Sequence, residues 1–167
     1  VSGSSQWGMC VGDFDNDGHK DVFSGGSYDG VHLMHITAPG QGNLQSLGNG
    51  SMFMQACNMA DIDQDGVLDV FACHDDAVSR LWKGDEAGAL NNNQALMPLT
   101  SYDTGGYSNT DHSGNYGSVW TDFDRDGDID LYIAKCRQFV NDPQDPRRVN
   151  QLWVNDGEGN YTEEASE

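Results

Sequence analysis

The order of apolar and polar residues along the chain predicts β-strands. Three segments alternate β-branched or aromatic residues with small or polar ones: "DVFSGG" from Asp21, "DVFACH" from Asp69 and "DLYIAK" from Asp130. Each is followed by a further candidate strand, in 30–37, 78–84 and 149–155. No stretch of any length has the 3.6-residue period of an amphipathic helix. The pattern therefore predicts an all-β protein.

The strands recur in the same order three times, which indicates repeated units. The last unit shows a fourth, outer strand most clearly, because "NDGEGN" places a tight turn between "NQLWVN" and "NYTEEA". Four short antiparallel strands per unit are typical of a β-propeller blade. We predict three blades, in residues 1–50, 51–100 and 117–167, with an insertion at 101–116 before the third.

The feature that repeats most closely is a nine-residue acidic loop before the second strand of each unit. It reads "DFDNDGHKD" from Asp13, "DIDQDGVLD" from Asp61 and "DFDRDGDID" from Asp122. Alternate residues of such a loop can surround a cation, and the Gly after the third Asp takes a backbone angle that other residues resist. Four carboxylates in so short a segment repel one another unless a cation neutralises them or their pKa values rise.

Calcium is the cation that fits this loop best, because Mg²⁺ requires a tighter octahedron and Zn²⁺ favours His or Cys ligands. We predict about three Ca²⁺ ions, one in each loop. The expected carboxylate ligands are the first, third, fifth and ninth residues: Asp13, Asp15, Asp17, Asp21; Asp61, Asp63, Asp65, Asp69; Asp122, Asp124, Asp126, Asp130. The carbonyl of the seventh residue is the remaining predicted ligand, from His19, Val67 and Asp128. An EF-hand is excluded, because strands follow the loops and no Glu stands at the twelfth position.

Charge narrows the possible partners. The formal net charge is −19, from 27 acidic and 8 basic side chains, which argues against nucleic acid and anionic membrane surfaces. No apolar run approaches the length of a bilayer span, so membrane insertion is not expected. Cations remain the natural partners of such a surface.

The three acidic loops with their trailing strands, together with "NQLWVNDGEGNYTEEAS", resemble the FG-GAP or VCBS repeats of integrin α-subunit propellers and of secreted proteins similar to cartilage acidic protein. The resemblance implies that each loop joins the first two strands of a blade and holds one calcium ion. It further implies a secreted or cell-surface location and a structural role in adhesion or surface assembly.

Propellers of this family usually close with about seven blades, whereas only three are predicted here. Three blades leave two sheet faces without neighbours. We therefore expect that the chain belongs to a longer polypeptide, or that its unlike ends associate head to tail into a ring or filament.

The four cysteines are too widely spaced for a CxxC metal or redox site. Aligning the repeats puts Cys73 and Cys136 on the same side of equivalent strands, which predicts a disulfide between them. Cys10 and Cys57 lie on opposite faces of their strands and are expected to be buried as small hydrophobic residues, with a bridge between them as the less favoured alternative.

The sequence contains no nucleophile elbow, phosphate-binding Gly loop or HExxH motif, so we predict that the protein is not an enzyme. A glycan is a possible ligand of 101–116, which is rich in Tyr, Ser, Asn and Asp, although this segment also fits a polar linker. The basic segment 135–148 fits an acidic glycan, another subunit or structural ion pairs. The four tryptophans are expected to pack between blades.

Overall fold

Three four-stranded antiparallel sheets make up the computed structural model, which describes residues 6–48, 50, 52–97, 99, 114–145 and 147–164. Sheet 1 contains β1 (Gln6–Gly12), β2 (Asp21–Gly26), β3 (Val31–Ala38) and β4 (Gln41–Gly48). Sheet 2 contains β5 (Met54–Ala60), β6 (Asp69–His74), β7 (Arg80–Gly84) and β8 (Leu90–Asn92). Sheet 3 contains β9 (Asn115–Thr121), β10 (Asp130–Lys135), β11 (Gln151–Asn155) and β12 (Tyr161–Glu163). A 3₁₀ turn, Gln94–Leu96, is the one helical element of the described residues.

The predicted all-β fold of four-stranded antiparallel units is confirmed. Within each sheet every strand pairs with its neighbour in sequence. The acidic loops join the first and second strands, β1 to β2, β5 to β6 and β9 to β10. Each loop is closed by a residue pair at its base, namely Gly12 with Asp21, Ala60 with Asp69, and Thr121 with Asp130. The three loops therefore begin from equivalent positions.

Sheet 2 lies between the other two sheets and takes part in two hydrophobic cores. All six residues of β6 are buried, and they alternate between the cores. Val70 and Ala72 pack in the core shared with sheet 1, whereas Phe71 and Cys73 pack in the core shared with sheet 3. The first strands β1, β5 and β9 lie side by side. Burial on both faces explains why "DVFACH" is almost continuously apolar.

Three of the four tryptophans pack between sheets, as the sequence predicts. Trp82 and Trp153 are buried, and Trp120 packs against the core between sheets 2 and 3. Trp7 differs, because 57% of its surface is exposed. It lies on β1, where it borders the open front of sheet 1 and its ring packs edge-on against Phe53, the residue just before β5, at 5.4 Å between centroids.

The predicted Cys73–Cys136 disulfide is wrong. Both residues are free thiols: Cys73 is buried between sheets 2 and 3, and Cys136 is exposed. The pairing of β10 shifts between Ala134 and Lys135, and the strand ends at Lys135, so strand alternation no longer fixes the direction of Cys136. Cys10 and Cys57, on opposite faces of equivalent sheets, meet in the core between sheets 1 and 2, where their thiols hydrogen-bond to each other.

Residues 101–113 of the predicted insertion, including Tyr102 and Tyr107, lie outside the described residues. In the basic segment, Arg137 pairs with Asp76 at 2.9 Å and Arg147 pairs with Asp145. The structural ion pairs predicted for this segment are therefore present. Within the described part of the chain, no helix has the length and apolar character needed to cross a membrane.

Candidate metal centre

The three acidic loops have the same backbone conformation. In each loop the fourth and sixth residues have positive φ: Asn16 (55°) and Gly18 (89°), Gln64 (59°) and Gly66 (88°), Arg125 (69°) and Gly127 (102°). The sixth position was expected from its Gly. The fourth was missed, because Gln and Arg have no preference for this region, and only Asn16 gave a signal.

Backbone amides of the loops donate to the loop carboxylates. The amide of the seventh residue binds the fifth aspartate in all three loops: His19 to Asp17 at 2.7 Å, Val67 to Asp65 at 3.0 Å, and Asp128 to Asp126 at 3.0 Å. The first aspartate accepts from the glycine amide in the first two loops, Gly18 at 3.1 Å and Gly66 at 2.8 Å. These hydrogen bonds curve the backbone of the loop around its own carboxylates and keep the bonded carboxylates inside the loop.

Three carboxylates of each loop come together. In every set, one oxygen from each residue lies within 4.8 Å of the others: Asp13, Asp15 and Asp17; Asp61, Asp63 and Asp69; Asp122, Asp124 and Asp130. The aspartates at loop positions 1 and 3 belong to every set. The remaining member is the aspartate at position 5 in loop 1 and at position 9 in loops 2 and 3.

The aspartate at the ninth loop position also connects the loop to the sheet through hydrogen bonds. Asp69 is fully buried and accepts hydrogen bonds from the amides of Ile62 and Gly84, both at 2.9 Å. Asp21 accepts from Phe14 and Ile36, and Asp130 accepts from Phe123 and Asn155. This carboxylate thus ties the second loop residue to the third strand, a role that sequence reasoning missed.

The field inside the loops opposes further negative charge. Burial raises the pKa of Asp69 to about 6, against the lowering effect of its two amide donors. In loop 3, desolvation together with repulsion from Asp126 and Asp130 raises the pKa of Asp124. In loop 3 this is the direction expected for carboxylates crowded together, whereas in loop 2 the burial of Asp69 outweighs the lowering effects of its amide donors and of Lys83.

A lysine from the neighbouring strand reaches loop 2. The Lys83 ammonium, on β7, forms ion pairs with Asp63 and with Asp65, the latter at 2.5 Å. Burial lowers the pKa of Lys83, but the hydrogen bonds to these carboxylates outweigh it and raise the pKa. The equivalent residue of loop 1 is His35, 4.0 Å from Asp15, and that of loop 3 is Val154. The loop motif contains no signal for these neighbours, because they come from the third strand.

The donor set fits a hard divalent cation. The clustered side-chain donors are all carboxylate oxygens, and none is His or Cys. The Oδ1 atom of Asp13 is buried and has no hydrogen-bond partner among the described residues. In loop 2 the Lys83 ammonium already places a positive charge beside the carboxylates. An unpartnered acceptor and a resident cation are what an oxygen site for a metal ion would show.

The sequence from residue 13 to residue 72 matches the model of a known family, described as FG-GAP-like repeat. This segment is therefore similar to an FG-GAP-like repeat. The predicted resemblance to this repeat family is therefore confirmed. The matched segment contains loops 1 and 2, and loop 3, beyond it, has positive φ at the same two positions and clusters its carboxylates as loop 2 does. No curated protein matches the chain.

Proposed function

We propose that each acidic loop binds one calcium ion and that the chain is a calcium-stabilised structural module. The observation that carries this proposal is the threefold recurrence of one loop, with the same left-handed positions and clustered carboxylates each time. A single Asp-rich turn is common on protein surfaces, whereas three equivalent ones at the same place in three sheets share a cause. Calcium offsets the repulsion within each cluster and thereby stabilises the fold.

The arrangement of the sheets supports a propeller-type module. The three sheets stack in order with their first strands adjacent, as the inner strands of propeller blades do. On this proposal, each calcium ion stabilises the connection between the first two strands of one blade. The seventh-residue carbonyls of His19, Val67 and Asp128 complete the predicted ligand sets.

The proposed role is non-enzymatic and lies outside the cell, in adhesion or surface assembly. FG-GAP-like repeats support this role through the extracellular proteins that the sequence resembles. Extracellular calcium-binding modules typically have dissociation constants of about 10⁻⁴–10⁻³ M, which suits the calcium concentration outside cells.

Thermal unfolding in calcium and in chelator tests the proposal. Calcium a hundredfold above Kd adds about 2.7 kcal/mol for each filled loop. For a chain of this size we expect chelation to lower the Tm by about 5–10 °C for each ion lost. Magnesium should restore much less of the Tm, because it rarely accepts a cage built entirely from protein oxygens.

A matched pair of variants separates site binding from a general charge effect. Replacing Asp13, Asp61 and Asp122 together by Asn should remove the calcium response. Asp156→Asn, in the β11–β12 turn outside the loops, should keep it. Identical melting curves of the wild-type chain in calcium and in chelator would contradict the proposal.

A further inference from the structure

Each sheet has two different faces, and successive sheets stack with unlike faces in contact. The front face packs against the preceding sheet through a row of paired residues, Met59, Val70 and Trp82 in sheet 2 and Trp120, Leu131 and Trp153 in sheet 3. The back face packs against the following sheet through Cys10, Phe23 and Leu33 in sheet 1 and through Phe71 and Leu81 in sheet 2. An aromatic pair crosses each interface from the same back-face position, Phe23 to Trp82 on the third strand of sheet 2 and Phe71 to Trp120 on the first strand of sheet 3.

The front face of sheet 1 has the same apolar row, but none of the sheets that the structure describes lies against it. Strand pairing aligns Val11, Val22, Met34 and Leu44 across the four strands. Val22 and Met34 are half-buried, whereas Val70 and Trp82 at the equivalent positions of sheet 2 are buried. Val11 is 53% exposed, whereas its equivalent Met59 packs against the core. Trp7 and Met9 extend the patch and line a depression of about 330 Å³ together with Val22. This surface is an interface row without its partner.

The back face of sheet 3 is open in the complementary way. Its row consists of Val119, Tyr132 and Leu152, and Val119 is 51% exposed. The second residue of each acidic loop shows the difference most clearly. Phe14 and Ile62 are buried, 1% and 0% exposed, in the core with the following sheet, whereas the equivalent Phe123 is 62% exposed.

The turns between the third and fourth strands also show that sheet 1 lacks a neighbour on its front side among the described residues. The turn glycine of sheet 2, Gly88, lies so close to loop 1 that an added Cβ would be 2.6 Å from the Cβ of Asp15. At Gly159 of sheet 3, the corresponding distance is 4.0 Å to Asp63 of loop 2. At Gly40 of sheet 1, no described atom lies within 4 Å. The missing neighbour would be an aspartate from a loop equivalent to loop 3.

We propose that these two open ends bind each other in two copies of this chain, head to tail. The Phe123 ring of one copy packs on the Val11–Val22–Met34 row of the next, as Phe14 packs on the Met59–Val70–Trp82 row within one chain. A second copy is the occupant because both halves of the interface, the aromatic loop residue and the apolar row, are present on this chain. The contact continues the two interfaces between sheets that the structure already contains.

An interface between unlike ends does not close on itself in a dimer. Each added copy exposes a new front face at one end and a new back face at the other, so growth leads to a ring or an open filament. The inference deepens the structural role proposed above by naming its partner. Its test is carried out in saturating calcium, so that a failure of assembly is distinguishable from a failure of calcium binding, which the melting experiment detects.

Two matched variants test this polarity. Val11→Asp places a charge on the front row, and Val119→Asp places one on the back row, and both side chains are about half exposed in the single chain. Sedimentation velocity of the whole chain should show wild-type species larger than a dimer that grow with concentration. Each variant alone should stay monomeric, because one of its two ends is blocked.

Mixing the two variants gives the decisive result. The intact back face of Val11→Asp should bind the intact front face of Val119→Asp and produce a 1:1 dimer that does not grow further. Phe123→Ser should weaken wild-type assembly about tenfold or more. Phe139→Ser, at a residue that is 96% exposed and belongs to neither row, should leave assembly unchanged.

Three results would overturn the proposal. The first is a wild-type chain that stays monomeric, which would point to a sheet outside this sequence as the occupant of the open faces. The second is continued assembly of both single variants, which would place the interface elsewhere. The third is a mixture of variants that remains monomeric while the wild-type chain assembles. Circular dichroism of every variant shows whether it is folded.

Discussion

At the scale of single residues, the aspartate at the ninth position of each loop combines two roles, as a predicted metal ligand and as a hydrogen-bond acceptor that connects the loop to the sheet. It lies at the start of the second strand, where it is buried, and its two oxygens accept from the amides of the second loop residue and of the third strand. The sequence predicts it as a metal ligand. Its structural task could not be predicted, because the third-strand amide lies 15 residues away in loops 1 and 2 and 25 residues away in loop 3, and strand register decides which amide it is.

Asp21 offers the clearest measurement of this structural task, because it lies outside the carboxylate cluster of loop 1. Asp21→Ala leaves the amides of Phe14 and Ile36 without their acceptor. We expect a loss of about 2–5 kcal/mol in the free energy of unfolding, measured with denaturant in chelator. Glu86→Ala, at an exposed carboxylate, should change it by about 0.5 kcal/mol or less. Equal effects of the two substitutions would rule out the fastening role.

Lys83 should make loop 2 the last loop to fill with calcium, because its ammonium must leave Asp63 and Asp65 before a metal ion can enter. Lys83→Met keeps the stem of the side chain and removes the charge. We expect the third ion to bind about tenfold more tightly, a change of about 1.4 kcal/mol, in a calcium titration followed by native mass spectrometry. Lys20→Met, at an exposed lysine of loop 1, is the control. An unchanged third binding step would contradict this prediction.

At the scale of elements, the sequence predicts the strands well and the loop backbone in part. The candidate strand at 30–37 corresponds to Val31–Ala38, and the one at 149–155 contains Gln151–Asn155. Alternation locates these strands because each has one face in a core. The left-handed fourth position of the loop could not be predicted, because Gln64 and Arg125 adopt it only under the constraint of the surrounding hydrogen bonds.

The glycine at the sixth loop position is required by its backbone angle and not by space. Gly66 has φ +88°, and an added Cβ would meet no atom within 4 Å. Gly66→Ala should therefore lower the free energy of unfolding by about 1–2 kcal/mol through backbone strain alone. Gly117→Ala on β9 also has open space around it but no positive φ, and it should not lower stability. A denaturant titration of both variants in chelator that gave equal stabilities would disprove the strain argument.

At the scale of the whole molecule, the two ends of the stack differ from its interior. Sheet 2 is covered on both faces, whereas sheets 1 and 3 each have one apolar face open. Sequence reasoning expected all four tryptophans to pack between blades. Trp7 keeps one such contact, with the Phe53 ring just before β5, but it is 57% exposed because no described sheet lies in front of β1. A residue pattern identifies a face as apolar but cannot tell whether a partner is present to cover it.

The same difference should appear in stability. Trp82→Ala removes a side chain that is 1% exposed, between sheets 1 and 2, and should cost about 3–5 kcal/mol. Trp7→Ala removes a side chain that is 57% exposed and whose recorded ring contact is with Phe53, and it should cost about 1 kcal/mol in the dilute, unassembled chain. Urea unfolding at low protein concentration measures both. Similar losses for the two variants would show that the front face of sheet 1 is not open.

The central claim is that three equivalent loops hold three calcium ions. An anomalous difference map from a crystal grown in calcium tests it most directly, because it locates each ion independently of the protein coordinates. The account predicts one peak in each loop, about 2.3–2.6 Å from carboxylate oxygens of its clustered aspartates. Loops that remain empty at saturating calcium, with their aspartates turned into solvent, would contradict it.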